Sequence, residues 1–287
     1  MPTFAKVQAS EDFSHIVAFV DDVNTQLEAA GSNLRLEYPW LFRVGPGTDP
    51  FGTLRTGVRW PVMNVGYILD ESDYTTDVPF AEVDVALESA YESWNDIRNS
   101  NLTAVRQPDG GGNYDVLDGT YDAGNCLFLV DVTSPNFDPG TGDISPEDDI
   151  IVGGWVPETY FSQCLGDPSI IGVTWTFFDV DTNGDQYLDL LYVEQFYNPA
   201  FDWTTTDAVY LDFGAPYDIE TIAVHENGHA HGLGHFGGPI NRQPFALQPN
   251  GKVFNPEAVM NPFYLGGEER TPLPTDVAGM RTMYARR

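Results

Sequence analysis

The sequence predicts an α+β fold, a mixed α/β sandwich, for most of its 287 residues. Short apolar runs of strand length lie in the middle of the chain, near stretches rich in Asp, Gly and Pro. Segments with apolar residues at helical spacing precede and follow those runs. Because sheets and amphipathic helices each need a partner for their apolar face, this order of elements favours a layered domain. The strand-like runs are CLFLVDV, DIIVGGWV and SIIGVTWTFFDV.

Residues 1–55 are expected to form an N-terminal extension or a prosegment-like subdomain. Residues 11–30 have apolar side chains at helical spacing, and Gly31 is placed to end that helix. An extended stretch follows, and then a segment rich in Gly, Pro and Thr over 45–53, which favours a boundary there. Residues 56–287 are expected to form the main domain.

The main domain is expected to begin with a strand and to end with a helix. The strand VMNVGYILD starts at Val62, and a helix is predicted over 79–99. A second helix, DIETIAVHENGHAHG, begins near Asp218 and contains most of the histidines of the chain. The segment PTDVAGMRTMYARR predicts the closing helix.

The chain is strongly acidic, with 43 acidic residues against 13 basic ones and a formal net charge of -30. Nucleic acids and anionic membranes are bound through Lys and Arg, so neither is expected as a partner. No apolar run approaches the length that spans a bilayer. We expect a monomeric, secreted protein whose signal peptide is not part of this sequence. Cys126 and Cys164 permit either one disulfide or two buried thiols.

Four of the five histidines fall within residues 225–235. His225 and His229 are four residues apart, which on a helix places both rings on one face. Gly232 can adopt the left-handed conformation that ends a helix and turns the chain back, so that His235 reaches the same point. Three imidazoles with one open position are typical of a catalytic zinc ion, whereas a structural zinc has a fourth protein ligand.

Glu226 lies between the two helical histidines and points aside from their rings. In the pattern HExxH, a carboxylate at this place accepts the proton of the zinc-bound water, so Glu226 is the candidate general base. His231 is only two residues from His229 and therefore lies on another face of the helix. We expect His231 to be packed, or to support a ligand, and not to bind the metal itself.

The segment HENGHAHGLGHF resembles the zinc helix of the metzincin metallopeptidases, and among them of the matrixins. EAVMNPFY is similar to their methionine turn, with Met260 beneath the zinc, and TDVAGMRTMY is similar to their last helix. The resemblance implies a twisted, mostly parallel sheet, a long active-site helix, a Met-turn and a C-terminal helix. It also implies that Pro262 and Tyr264 line the substrate pocket. It covers the chain from about Val58 onwards.

The same resemblance gives the strand SIIGVTWTF the position of the sheet edge that receives an extended peptide substrate. An ordinary core strand would show the same pattern, so both interpretations stay open. Two matrixin features are missing, because His15 is the only histidine upstream of the zinc helix and the first cysteine is Cys126. We therefore expect no second zinc ion, and any latency would not depend on an N-terminal cysteine.

The acidic segment DVDTNGDQYLD, at residues 179–189, has the spacing of a calcium-binding loop. Oxygen ligands at the first, third and fifth positions, followed by glycine, match the start of an EF-hand loop. The twelfth position is Leu190 where that motif has glutamate, so the match is incomplete and an acidic turn between strands is the alternative. The candidate calcium ligands are Asp179, Asp181, Asn183, Asp185 and Asp189.

These features predict a secreted zinc-dependent endopeptidase, with one catalytic Zn²⁺, a structural Ca²⁺, and Glu226 as general base for a metal-activated water. The expected partners are protein or peptide substrates. A metal-stabilised binding module without turnover is an alternative, which the intact Glu226 disfavours. Another kind of zinc hydrolase is a third interpretation, which the metzincin-like pattern after His235 disfavours.

Overall fold

The computed structural model describes most of the predicted elements. The described residues are 14–32, 35–37, 58–69, 75, 77–108, 150–165, 167–206, 216–235, 258–261 and 269–285. The predicted strand CLFLVDV, the segment 45–53, Cys126 and the side chain of Cys164 lie outside them. The predicted boundary near residue 55 also falls outside, so its position stays a prediction.

The described part of the chain contains helices, strands and one π-helical turn, Tyr160–Cys164. The helices are α1 (Ser14–Ala29), α2 (Phe80–Asn95), α3 (Ile219–Ala230) and α4 (Pro274–Tyr284). The strands are β1 (Arg35–Glu37), β2 (Val58–Arg59), β3 (Asn64–Leu69), β4 (Thr103–Arg106), β5 (Ile150–Trp155), β6 (Gly172–Asp179), β7 (Leu188–Tyr197), β8 (Trp203–Thr204) and β9 (Tyr217–Asp218). None of these helices is both long enough and apolar enough to cross a membrane.

Seven strands form one mixed sheet in the order β1-β6-β7-β5-β3-β4, and β2 pairs with the beginning of β7. Strands β4, β3, β5 and β7 run parallel to one another, whereas β6 runs antiparallel to both β7 and β1. Strands β8 and β9 form a separate parallel pair that leads directly into α3. The α+β class is confirmed, with a mixed sheet whose larger part is parallel.

The predicted edge strand, β6, is not a free edge along its whole length. The three residues of β1 pair with residues 176–178 in antiparallel register, with Leu36 opposite Phe177. The side-chain amide of Asn24 holds β1 there, donating to the carbonyl of Leu36 at 3.1 Å and accepting from its N–H at 2.7 Å. The expectation of an open edge is therefore wrong for residues 176–178. Among the described residues, no strand pairs with residues 172–175 on that side.

The two faces of the sheet carry separate hydrophobic cores. One face packs against α2, α3 and α4, and Trp94 and Val193 are fully buried there. The other face packs against α1 and the π-helical turn, and Val23 and Trp175 are fully buried there. Successive residues of a strand point to opposite faces, so β6 and β7 contribute to both cores. The helix of the N-terminal section is therefore packed against the same sheet as the histidine helix.

Helix α2 is shorter than the helix predicted over 79–99. The side chain of Asn95 donates to the carbonyl of Ala104 at 2.9 Å and accepts from its N–H at 2.8 Å. These bonds hold the end of α2 beside β4. Asn99 has a φ of 68°, in the left-handed region, which cannot continue an α-helix. The helix predicted over 11–30 is confirmed over Ser14–Ala29, and residues 11–13 lie outside the described part of the chain.

Candidate metal centre

Helix α3 carries the histidine motif, and its first turn is held by a cap and an ion pair. The buried carboxylate of Asp218 accepts from the N–H of Thr221 at 3.0 Å and from its hydroxyl at 2.6 Å. Arg270 donates to both oxygens of the same carboxylate, at 2.7 and 2.9 Å. Because the first turn of a helix leaves N–H groups without helical partners, this cap fixes where α3 begins.

Helix α3 ends through Gly232, as the sequence predicts. Gly232 has a φ of 83°, and its N–H donates to the carbonyl of His229 at 2.8 Å. The N–H of Leu233 donates to the carbonyl of Gly228 at 2.9 Å. This pair of bonds is a Schellman motif, which glycine adopts without steric cost. This motif reverses the direction of the chain, so that His235 faces α3.

Three large side chains from outside α3 also hold the carbonyl groups along and just after this helix. Two are tryptophans that donate through the indole N–H, and the third is a tyrosine that donates through its hydroxyl. All three are fully buried. They tie α3 to three other parts of the fold, so the helix has little freedom to rotate. The pairs are Trp94 to Val224 at 2.9 Å, Trp60 to Ala230 at 2.7 Å and Tyr284 to His231 at 2.9 Å.

His225, His229 and His235 meet at their Nε2 atoms. The distances are 3.2 Å from His225 to His235, 3.2 Å from His229 to His225, and 3.0 Å from His229 to His235. Among the described residues, they are the one group of three or more ionisable side chains that converges as metal ligands do. Nitrogen ligands about 2.0–2.1 Å from a tetrahedral zinc ion are about 3.3–3.4 Å apart, so the triangle nearly has the size of a zinc site.

Hydrogen bonds at the other ring nitrogen orient two of these imidazoles. Nδ1 of His225 donates to the carbonyl of Val259 at 2.7 Å, and Nδ1 of His229 donates to the carbonyl of Leu233 at 2.8 Å. With the proton on Nδ1, each Nε2 turns a lone pair towards the other rings. Lone pairs this close repel one another unless a cation lies between them, so the arrangement favours a bound metal ion.

Burial keeps the three imidazoles neutral. It lowers the pKa of His225 and that of His235, to which the two neighbouring rings add. It also lowers the pKa of His229 to about 3, with His225 adding to the effect. The neutral ring is the form that binds a metal ion. His225 and His235 are nevertheless partly exposed, so an ion held by the three rings would be reached from solvent.

Glu226 directly follows His225 in the sequence. It is buried, with only 4% of its surface exposed. Its carboxylate accepts a hydrogen bond from the hydroxyl of Thr174 on β6 at 2.5 Å. Burial raises the pKa of Glu226 to about 7, and the bond from Thr174 acts in the opposite direction. A carboxyl group that titrates near neutral pH can both accept and return a proton under ordinary conditions.

Met260 packs directly against α3 at Gly228 and is fully buried. A Cβ atom added to Gly228 would lie 2.1 Å from the sulfur of Met260 and 2.9 Å from a ring carbon of Trp94. Glycine is therefore required between the two helical histidines if Met260 is to occupy this place. The predicted pocket residues Pro262 and Tyr264 lie outside the described part of the chain.

His231 lies apart from the three converging rings and is 1% exposed. Its imidazole stacks on Trp94, with ring centroids 5.8 Å apart and an interplanar angle of 27°. Nδ1 of His231 donates to the carbonyl of Asn227. Burial lowers the pKa of His231 to about 4, so the ring is neutral at pH 7. The contacts of His231 are those of a packed side chain.

The acidic loop, residues 179–189, brings Asn183 into contact with Asp189 at 3.3 Å, but its carboxylates do not converge on one point. The carboxylate of Asp181 accepts from the N–H groups of Gly184, Asp185 and Gln186, at 2.6, 3.1 and 2.9 Å. The other four candidates also accept N–H donors of the loop or pair with a cation, and among the described residues no three of the carboxylates converge. These contacts are Asp179 with Val180, Asn183 with Asp185, Asp185 with Tyr187 and Arg59, and Asp189 with Thr182.

Two residues at the site were not singled out by the sequence. Thr174 bonds Glu226, and the signal for it is a threonine at one of two alternate positions, 174 and 176, of a largely apolar strand. Asp276 of α4 accepts from the N–H of Val259 at 3.0 Å and from that of Met260 at 3.2 Å, and so fixes the turn that orients His225. Burial raises the pKa of Asp276 despite these bonds. Nothing in the segment TDVAGMRTMY distinguishes Asp276 from an ordinary helix-start residue.

No protein-family model matches the sequence, and no curated protein matches it.

Proposed function

We propose that the protein is a secreted, zinc-dependent endopeptidase of the metzincin kind, acting on proteins or peptides. The observation that carries this proposal is the convergence of three imidazole Nε2 atoms with a buried carboxylate next to the first of them. Three protein ligands leave a tetrahedral ion one position for water or substrate. All four side chains of the proposed site belong to one copy of the chain, so a monomer would be sufficient to form it.

The side chains of the site have separate roles in this proposal. His225, His229 and His235 would hold the zinc ion. When bound, zinc would polarise the scissile carbonyl and make water a stronger nucleophile at neutral pH. Glu226 takes the proton of the attacking water and later gives it to the leaving amine, and its pKa of about 7 suits both steps.

An extended peptide is the form of substrate that fits the surroundings of Glu226. Residues 172–175 of β6 include Thr174, which bonds the carboxylate of Glu226. Among the described residues this stretch has no strand partner on its outer side. A peptide could therefore pair with it through main-chain hydrogen bonds. Because β1 already covers residues 176–178, the peptide would have only the shorter stretch of β6 available.

A structural calcium ion in the acidic loop is a separate part of the proposal, and it rests on sequence spacing. In the described arrangement the oxygens of Asp181 and Asp189 accept N–H donors of their own loop. A calcium ion would compete with those donors for the same oxygens, and the loop would have to rearrange to bind it.

The deciding experiment compares the wild-type protein with Glu226→Gln on a casein or gelatin substrate. We expect the variant to keep one zinc ion and the same melting temperature. Its peptide hydrolysis should fall by about 10²–10⁴-fold, because the amide cannot accept the proton. Wild-type protein without zinc, or without hydrolysis that a chelator abolishes, would contradict the proposal. Near-normal turnover by Glu226→Gln would show that the general base is a different residue.

A further inference from the structure

Thr174 of β6 forms a buried hydrogen bond with the carboxylate of Glu226 on α3. Its side chain is 1% exposed and lies on the face of β6 that meets α3. The hydroxyl oxygen is 2.5 Å from Oε2 of Glu226 and 3.3 Å from the main-chain oxygen of the same residue. A hydroxyl has one proton to donate, and the shorter distance assigns it to the carboxylate.

Gly172 completes the surroundings of the same carboxylate. It lies two residues before Thr174 and therefore on the same face of β6. A Cβ atom added to Gly172 would be 2.8 Å from Oε1 of Glu226 and 3.2 Å from both Cδ and Cγ. Strand β6 thus binds Oε2 of Glu226 through the hydroxyl of Thr174. It leaves space for Oε1 at Gly172, which has no side chain.

We propose that Thr174 is a positioning residue for Glu226, and this rests on the proposed function of Glu226 as general base. The hydroxyl fixes Oε2, which selects one rotamer of a side chain that otherwise has several. Oε1 is then the oxygen left to receive the proton of the attacking water. A general base must lie within hydrogen-bond reach of the proton it takes, so loss of this orientation slows the reaction without removing the base itself.

The chain offers a matched control in Thr176. It lies on the same face of β6 as Thr174, is also 1% exposed, and its hydroxyl has no hydrogen-bond partner among the described residues. Thr176→Val therefore removes a buried hydroxyl from the same strand without removing a hydrogen bond. Replacing an unpaired buried hydroxyl by a methyl group of the same shape does not destabilise a fold.

The test compares Thr174→Val, Thr174→Ser and Thr176→Val with the wild type in the full-length chain. We expect Thr174→Val to lower kcat by about 10- to 100-fold with little change in KM or zinc content. Thr174→Ser should restore most of kcat, since it keeps the hydroxyl, and Thr176→Val should have the kcat of the wild type. In crystals of the zinc-free proteins, Glu226 should occupy one rotamer in the wild type and in Thr174→Ser, and more than one in Thr174→Val.

The possible failures are distinguishable. If the wild type shows no zinc-dependent hydrolysis, or Glu226→Gln is fully active, the proposed function fails and the positioning role fails with it. If both of those results are as expected but Thr174→Val has the kcat of the wild type, only the positioning role is overturned. Equal losses in Thr174→Val and Thr174→Ser, or an equal loss in Thr176→Val, would overturn it too, because packing and not the hydroxyl would then be responsible.

Discussion

The histidine cluster on α3 and the acidic loop at residues 179–189 have the same kind of sequence signal. Both place side chains of metal-ligand type at a spacing that suits an ion. In the structure the three histidines converge to within 3.2 Å of one another, whereas the carboxylates of the loop turn towards their own backbone. Similar spacing therefore corresponds to a compact group of three ligands in the histidine cluster, and to side chains bonded to their own backbone in the acidic loop.

The difference follows from what the backbone needs in each region. Inside a helix the N–H and carbonyl groups bond one another, so the side chains at positions i and i+4 share a face and are free to bind something else. In a loop the N–H groups have no such partners, and Asp or Asn side chains nearby accept from them. The spacing of two residues along a helix fixes the relative direction of their side chains, whereas the same spacing along a loop does not.

The largest effect that tests this comparison is expected from His235→Ala. With two of three imidazoles left, the protein should lose the proposed zinc ion on dialysis, and the proposed hydrolysis should fall at least as far as in Glu226→Gln, by about 10²–10⁴-fold or more. Metal analysis and peptide hydrolysis measure the two effects. Asp181→Ala is the matched control from the acidic loop and should keep both zinc and activity. Full zinc content in His235→Ala would mean that the cluster is not the metal site.

A second effect of intermediate size concerns His231 and pH. Its folded pKa of about 4 is below the ordinary value of 6.5, because burial disfavours the charged ring. The unfolded chain therefore binds a proton that the folded chain does not, so stability is fully present above pH 6.5 and is lost as pH falls towards 4. We expect His231→Gln to reduce the pH dependence of the unfolding free energy of the zinc-free protein by about 1 kcal/mol per pH unit between pH 6 and pH 5.

Denaturant unfolding at several pH values, after zinc removal, measures that slope. His225, His229 and His235 also have lowered pKa values, so the wild type should lose stability in acid more steeply than one histidine explains. A slope in His231→Gln equal to that of the wild type would show that this ring is already accessible to protons in the folded protein.

The smallest effect is expected in the acidic loop. Asp181→Ala removes the acceptor for three N–H groups, but water can replace it at this partly exposed site, so a loss of about 1 kcal/mol is expected. Asp179→Ala, which removes the acceptor for one N–H, should cost less. Because the proposed calcium ion would have to displace N–H donors from these carboxylates, millimolar calcium should raise the melting temperature only slightly more than sodium at equal ionic strength, and Asp181→Ala should abolish that difference. Equal responses to calcium and sodium in the wild type would remove calcium from the proposal.

Sequence patterns predicted those parts of the fold that depend on neighbouring residues. The α+β class follows from the order of strand-like and helical apolar patterns. The convergence of His225 with His229 follows from helix geometry, and the turn at Gly232 from the conformational freedom of glycine. The contact of Thr174 with Glu226 could not be predicted, because it joins two elements whose relative position depends on how α3 packs on the sheet. The pairing of β1 with β6 was missed for a similar reason, since it depends on the side chain of Asn24 in another element.

The pairing of β1 with β6 also bears on how the protein folds. Leu36 and Phe177 are on the order of 140 residues apart in sequence, so closing this pair is one of the longest-range steps in forming the sheet. Strands β6 and β7 are close in sequence and can form their hairpin long before β1 arrives. In that interval the outer side of β6, with its aromatic residues, is an unprotected strand edge of the kind that joins chains into aggregates. The docking of α1 and β1 pairs residues 176–178 and so removes this part of the exposed strand edge.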